Sequence, residues 1–127
     1  MTQRPRISSG SPFEATIGFS RALRVGDRVL VSGTAPVFPD GSCPTDAAAQ
    51  ARRCFEIIGA ALAEAGVSWN YVVRTRMYIT DAADGDAVGR VHGLYLGDVQ
   101  PAATMVVVAA LLDPRWKVEV EAEAVTD

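Results

Sequence analysis

Two adjacent stretches near the C-terminal end carry contrasting hydrophobic patterns. Residues 103–112 read ATMVVVAALL and are apolar at nearly every position. A strand of that kind has to be covered on both faces. Residues 117–125 alternate instead. Val118, Val120, Ala122 and Ala124 point one way, and Glu119, Glu121 and Glu123 the other, which is the two-residue period of a half-buried strand. Asp113-Pro114 marks a turn between them, since proline cannot donate to a ladder and biases its neighbour away from helix. The expectation is a greasy strand lying beside a strand with a row of carboxylates.

The rest of the chain supplies candidates to cover the first and neutralise the second. Ile7 ends a short edge strand, and residues 8–12, SSGSP, have turn chemistry. Residues 19–25 form a strand in which Phe19, Arg21 and Leu23 share no character. Gly26-Asp27 then joins it to a strand over 28–35, RVLVSGTA. Glycine at the first central position suits a type II′ hairpin turn. Ser32-Gly33 interrupts that second strand, which signals a bulge or a close approach by something else. After the loop at 38–42, a helix starts at 44–46, with Thr45 as its cap and Asp46 at its positive end. Ala47, Ala51, Cys54, Phe55, Ile58, Leu62 and Ala65 form its apolar stripe, and Gly66 ends it.

Residues 71–80 read as a strand, with Val73, Met77 and Ile79 towards the helix and Arg74, Arg76 and Tyr78 away from it. A weaker helix over 84–95 carries Val88, Val91, His92 and Tyr95 on one stripe; Gly85, Gly89 and Gly93 each cost it about 1 kcal/mol relative to alanine. The order β-β-α-β-α-β-β gives an α+β fold, a mixed sheet with two helices on one face. The other face then holds Arg74, Arg76 and Tyr78, the carboxylate row and part of the 103–112 strand. Such a face wants a partner. We expect it to close an oligomer, with arginines opposite glutamates.

Composition strengthens that expectation. At 127 residues the chain is one domain. It is 49% hydrophobic, with a mean hydropathy of +0.15, which is greasy for so small a soluble chain. The longest apolar run falls far short of the ~20 residues of a membrane helix, so a subunit interface is the better explanation. No signal peptide is legible. Two cysteines outside any CxxC motif, Cys43 and Cys54, suit a cytoplasmic protein with reduced thiols. A net charge of −3 with 12 scattered basic residues gives no reason to expect nucleic acid. His92 is the one histidine, and nothing at ligand spacing to it suggests a metal.

Over nearly its whole length the chain resembles the RidA (YjgF) reactive-intermediate deaminase family. The resemblance rests on SGTAP at 32–36, DAAAQARRCFE from Asp46, RTRMYITD at 74–81, GDVQPA at 97–102 and KVEVEA at 117–122. It implies a chorismate-mutase-like fold and a homotrimer whose sheets build a central barrel with three clefts between subunits. It also implies hydrolysis of 2-imino acids to 2-keto acids and ammonia, without metal or organic cofactor. Glu119 takes the place of the glutamate that holds the attacking water. Phe19, Ser32, Gly33 and Met105 correspond to cleft-lining positions.

This sequence departs from the family pattern at three polar handles. The arginine that forks onto the substrate carboxylate, a job suited to guanidinium geometry, is Ala103 here, followed by Thr104 and Met105. An asparagine common in the second helix is Gly89, and a usual tyrosine is Phe19. The ordinary 2-iminobutanoate reaction is therefore disfavoured. For each candidate a plainer reading stands beside the functional one. Glu119 is the water-holding acid or one more charge in its row. His92 is packed core or cleft. Arg74 and Arg76 are ion-pair partners, or one of them replaces the missing anion binder. Three functions remain open: an imine or enamine hydrolase with altered substrate, a metabolite-binding trimer without turnover, and, weakest, an endoribonuclease.

Overall fold

The computed structural model describes residues 4–126. Six strands form one sheet: β1 (Arg6–Ile7), β2 (Ala22–Val25), β3 (Arg28–Thr34), β4 (Val72–Ile79), β5 (Ala102–Val107) and β6 (Val118–Val125). Two helices, α1 (Ala47–Glu64) and α2 (Gly85–Leu96), pack on one face. The strand order is β1-β2-β3-β6-β4-β5, antiparallel except for the parallel pair β4–β5. The α+β fold, mixed sheet and one-sided helices agree with the sequence reading; β1 is the extra, two-residue edge strand ending at Ile7.

The hairpin turn is the expected one. Gly26 takes φ +61° while Asp27 stays at negative φ, the pattern of a type II′ turn. Helix α1 starts one residue later than expected. Asp46, not Thr45, is the cap, accepting a 2.9 Å hydrogen bond from the Ala49 amide. An ionised carboxylate there satisfies an orphan N–H and complements the helix dipole at once. Gly66 leaves the helix at φ +83°.

Phe55, Ile58 and Leu62 of α1, with Val88, Val91 and Leu96 of α2, pack on Val29, Val31, Met77, Ile79, Val118 and Val120. Val73 is not among them. The register of β4 against β6 shifts between Val72 and Arg74, so Val72 turns inward and Val73 is left 44% exposed. Gly59 lets Trp69 lie close against α1, because a Cβ there would stand 2.9 Å from the indole.

The greasy stretch is the main departure. Its strand ends at Val107, and residues 108–117 are an irregular connection. Strand β5 pairs with β4, not with β6, so β4 separates it from the carboxylate row. Nor does the chain cover it: Val106 and Val107 are 42% and 54% exposed, and Leu112 is 93% exposed. Gln50, buried in α1, ties the connection down. Its side-chain amide donates to the Pro44 and Arg115 carbonyls at 2.8 and 2.9 Å, and its oxygen accepts from the Lys117 amide at 2.7 Å.

Candidate functional site

The break in β3 and the carboxylate of Glu119 form one feature. The β3–β6 register shifts between Val31 and Thr34, so Ser32 and Gly33 bulge out of the ladder. Ser32 Oγ donates to the Ser20 carbonyl at 2.7 Å. A Cβ on Gly33 would stand 3.3 Å from Glu119 Oε1. The missing side chain thus lets the carboxylate lie against the bulge. Both meanings of an interrupting glycine, bulge and close approach, apply at Gly33. Burial pushes the Glu119 carboxyl above its ordinary 4.5; the charge of Arg21 opposes that rise and Glu121 adds to it. A carboxylate raised in this way moves towards the range in which a general base works near neutral pH.

Arg21 borders the same place. It is 8% exposed, and its Nη2 donates to the Gly33 carbonyl at 2.5 Å. Its guanidinium carbon lies 5.7 Å from the centre of the Phe19 ring. Glu14 sits on a π-helical turn, Glu14–Gly18, which precedes Phe19. Its carboxylate accepts from Ser8 Oγ at 2.8 Å, from the Ser9 amide at 3.0 Å and from Ser9 Oγ. Burial would raise the Glu14 carboxyl, but those hydrogen bonds and the charge of Arg21 prevail and hold it below 4.5.

Ala103, Thr104, Met105 and His92 lie elsewhere. Ala103 is in register with Thr75, Thr104 with Arg76 and Met105 with Met77. Met105 packs against the helix-side glycines, its Sδ 3.7 Å from a Cβ built on Gly85 and its Cε 4.0 Å from one built on Gly89. His92 is under the sheet. Its Nε2 is 2.8 Å from Thr75 Oγ1, its ring meets Phe55 edge-on at 5.8 Å, and burial lowers its pKa. Glu119 pairs with Tyr78, which pairs with Val106. Two inter-strand steps, roughly 10 Å, therefore separate the Glu119 strand from β5. Within one chain, Ser32, Gly33 and Glu119 come together, with Phe19 linked to them through Arg21; Ala103, Thr104, Met105 and His92 do not join them.

The charged face closes on itself. Arg76 reaches Glu121 at 3.9 Å and Glu123 at 3.7 Å, Arg28 reaches Glu123 at 3.3 Å, and the Tyr78 hydroxyl donates to Glu121. The expected pairing of arginine with glutamate thus occurs between neighbouring strands of one chain. Arg76 is engaged, so it is not a free anion binder. Among the described residues, no group of three or more His, Cys, Asp or Glu side chains is placed to hold a metal ion, and no helix is long and apolar enough to cross a membrane.

The profile of the family described as Endoribonuclease L-PSP matches residues 10–126. The chain belongs to this family, the YjgF/RidA group. The group's protein SCO2049 of Streptomyces coelicolor is 39% identical over 124 residues, covering 94% of this chain and 90% of that one. The 2-iminobutanoate/2-iminopropanoate deaminase of Escherichia coli is 32% identical over 117 residues, covering 87% and 90%. Among solved structures, Rv2704 of Mycobacterium tuberculosis, a member of the YjgF/YER057c/UK114 family, superposes with a TM-score of 0.90 at 42% identity, covering 98% and 100%. Rv2704 and the other solved YjgF-family neighbours share the fold found here.

Two residues at the site escaped the sequence reading. Arg21 and Glu14 carry no motif. The one available signal was an arginine interrupting the pattern of residues 19–25, between an aromatic and a buried alanine.

Proposed function

We propose that this protein hydrolyses C=N bonds of small imines or enamines in a cleft completed by a second copy of the chain, as one of three such clefts in a homotrimer. One observation carries the reading: the half-buried Glu119 carboxylate, with its raised pKa, held against the Gly33 bulge. In the reaction, Glu119 takes a proton from water as the oxygen adds to the imine carbon. The nitrogen gains a proton and the C=N bond becomes single. The carbinolamine then collapses, with the hydroxyl losing its proton and ammonia leaving, to give a carbonyl compound. Water is consumed and no oxidant is needed.

The exposed apolar edge of β5 supports a second copy. Isolated, it would be an open template for strand pairing or aggregation. The copy's β5 would bring Ala103, Thr104 and Met105 to the Glu119 of its neighbour as an apolar wall. Without an arginine at Ala103, the substrate differs from that of the Escherichia coli relative, either lacking a carboxylate or presenting it elsewhere. The same alanine favours a second reading, a trimer that binds a metabolite without turnover. The net charge of −3 speaks against RNA cleavage.

Imines generated by an amino-acid oxidase panel, with ammonia release as the readout, test this. Wild-type protein should accelerate release, and Glu119→Gln should lose about 10²–10⁴-fold of that acceleration, the size of a general-base contribution. No acceleration with any imine leaves the binding protein as the answer.

A further inference from the structure

Arg21 is the most unusual charged group in the molecule. It is 8% exposed, yet no carboxylate lies within ion-pair distance of it among the described residues. Its Nη2 donates to the Gly33 carbonyl at 2.5 Å, and its Nε is buried without a partner among the described residues. Burying a guanidinium costs stability, because its charge and its donors have both left water. A buried charge kept in that state calls for a reason.

A ligand in the adjoining groove is not that reason. The groove, about 200 Å³, lies between Ile7, Ser8 and Ser9 on one side and α1 on the other. Two cations line it, Arg21 and Arg53, and so do two carboxylates, Glu56 and Glu64. Those charges cancel, and Arg53 is already engaged by Glu56, the Val37 carbonyl and the Phe38 ring. Nothing there draws in an anion. The carboxylates that act on Arg21 are Glu14 and Glu119, both from beyond contact; burial lowers the pKa of the guanidinium and these two oppose it. Glu14 is held in place by Ser8 and Ser9. The arginine keeps its proton throughout, so a fixed positive charge stands between the Glu14 turn and the Glu119 bulge.

We propose that Arg21 is a positioning residue for Glu119: by holding the Gly33 carbonyl it fixes the bulge that seats the carboxylate, and it sets a buried positive charge near it. For any effect on turnover the proposal rests on the imine-hydrolase reading, in which Glu119 is the base. The contacts form a short relay. The guanidinium grips the Gly33 carbonyl, and the bare Cα of the same glycine gives Glu119 its room, since a Cβ there would stand 3.3 Å from Oε1. The other titratable groups around Glu119 are Glu121 on its own strand, Tyr78 in register with it on β4 and Cys54 on α1. Tyr78 is bonded to Glu121, and burial keeps the Cys54 thiol protonated. Among the described residues, Arg21 is therefore the one cation that acts on the Glu119 carboxyl, against burial and Glu121.

Carbon NMR of the glutamate side-chain carboxyls reads this without any substrate, with Glu119 assigned by its absence in Glu119→Gln. Arg21→Gln should move the Glu119 titration to higher pH and speed amide exchange at Ser32, Gly33 and Thr34; the acid limb of kcat/KM should move with the titration. Arg21→Lys keeps the charge and loses the fork, and it should bring the titration back towards that of the wild type. Arg52→Gln, an equal charge change on the exposed side of α1, should leave it unmoved. A merely structural arginine would lower the melting temperature in Arg21→Gln and leave the titration in place. That result overturns the proposal, as does a titration that falls, or one that lysine fails to restore. If Arg21→Gln does not fold, the wild type decides: the Arg21 Nε resonance should shift with the midpoint of Glu119 and cease to do so in Glu119→Gln, and a flat Nε signal overturns the proposal. A Glu119 that follows Arg21 while no imine is turned over removes the hydrolase and leaves the placement. Turnover with a Glu119 indifferent to Arg21 does the reverse.

Discussion

Strands β5 and β6 flank the same neighbour, β4, and their fates differ. Every second residue of β6 is buried by the helices of its own chain, and its outward Glu121 and Glu123 find Arg76, Arg28 and Tyr78 on adjacent strands. Strand β5 is more apolar, yet five of its six residues are exposed. The difference is one of position. An inner strand is completed by its own sheet, while the edge strand β5 packs only Met105 against the core of its own chain and leaves the rest uncovered. Hydrophobicity in β6 therefore describes the fold, and hydrophobicity in β5 describes what the fold lacks.

That contrast is sharpest at Arg76. In the lone chain its pairs are partly exposed, with side chains 40%, 31% and 27% accessible, and such pairs contribute only about 0–1 kcal/mol. Covered by a second copy, the loss of one partner costs about 3–5 kcal/mol. We expect Arg76→Ala to fall in the larger range in urea unfolding and to weaken assembly; a change within the smaller range means that the face stays wet. Next in size is Gln50→Ala on the closed side. It strands the Pro44 and Arg115 carbonyls and the Lys117 amide, for a loss of about 2–3 kcal/mol with assembly intact. Loss of assembly instead would mean that the 108–117 connection, and not the sheet face, builds the interface.

The smallest effect is a gain. The folded-state pKa of Glu119 lies above the unfolded 4.5, so its charged form is penalised by folding. That penalty is absent below the unfolded value and grows as pH rises through the folded one. Glu119→Gln should therefore unfold at a higher temperature than wild type at pH 8, with the difference vanishing near pH 4, while losing activity. A lower melting temperature at pH 8 would show that the carboxylate is a structural charge like Glu121 and Glu123.

Much of this was legible beforehand. The stripe from Ala47 to Ala65 with Gly66 after it, the glycine turn at Gly26 and the alternation of β6 are local signals, and local signals survive folding. The Ser32-Gly33 interruption was visible as well. The pairing of β5 with β4 was not, because parallel neighbours are joined through a crossover helix and chain order does not reveal them. The bulge at Val72–Arg74 moved Val73 outward by one residue of register, which no periodicity reveals. Arg21 was hidden for a related reason: burial of an arginine depends on what the bulge and the Glu14 turn place around it, and the sequence offers only an interrupted pattern.

The mass of the protein in dilute solution tests the central claim most directly. Sedimentation equilibrium at micromolar concentration should give a closed assembly of three times 13.5 kDa, with β5 protected from hydrogen exchange. A stable, folded 13.5 kDa species that still releases ammonia from imines would contradict it, since the pocket would then be complete in a single chain.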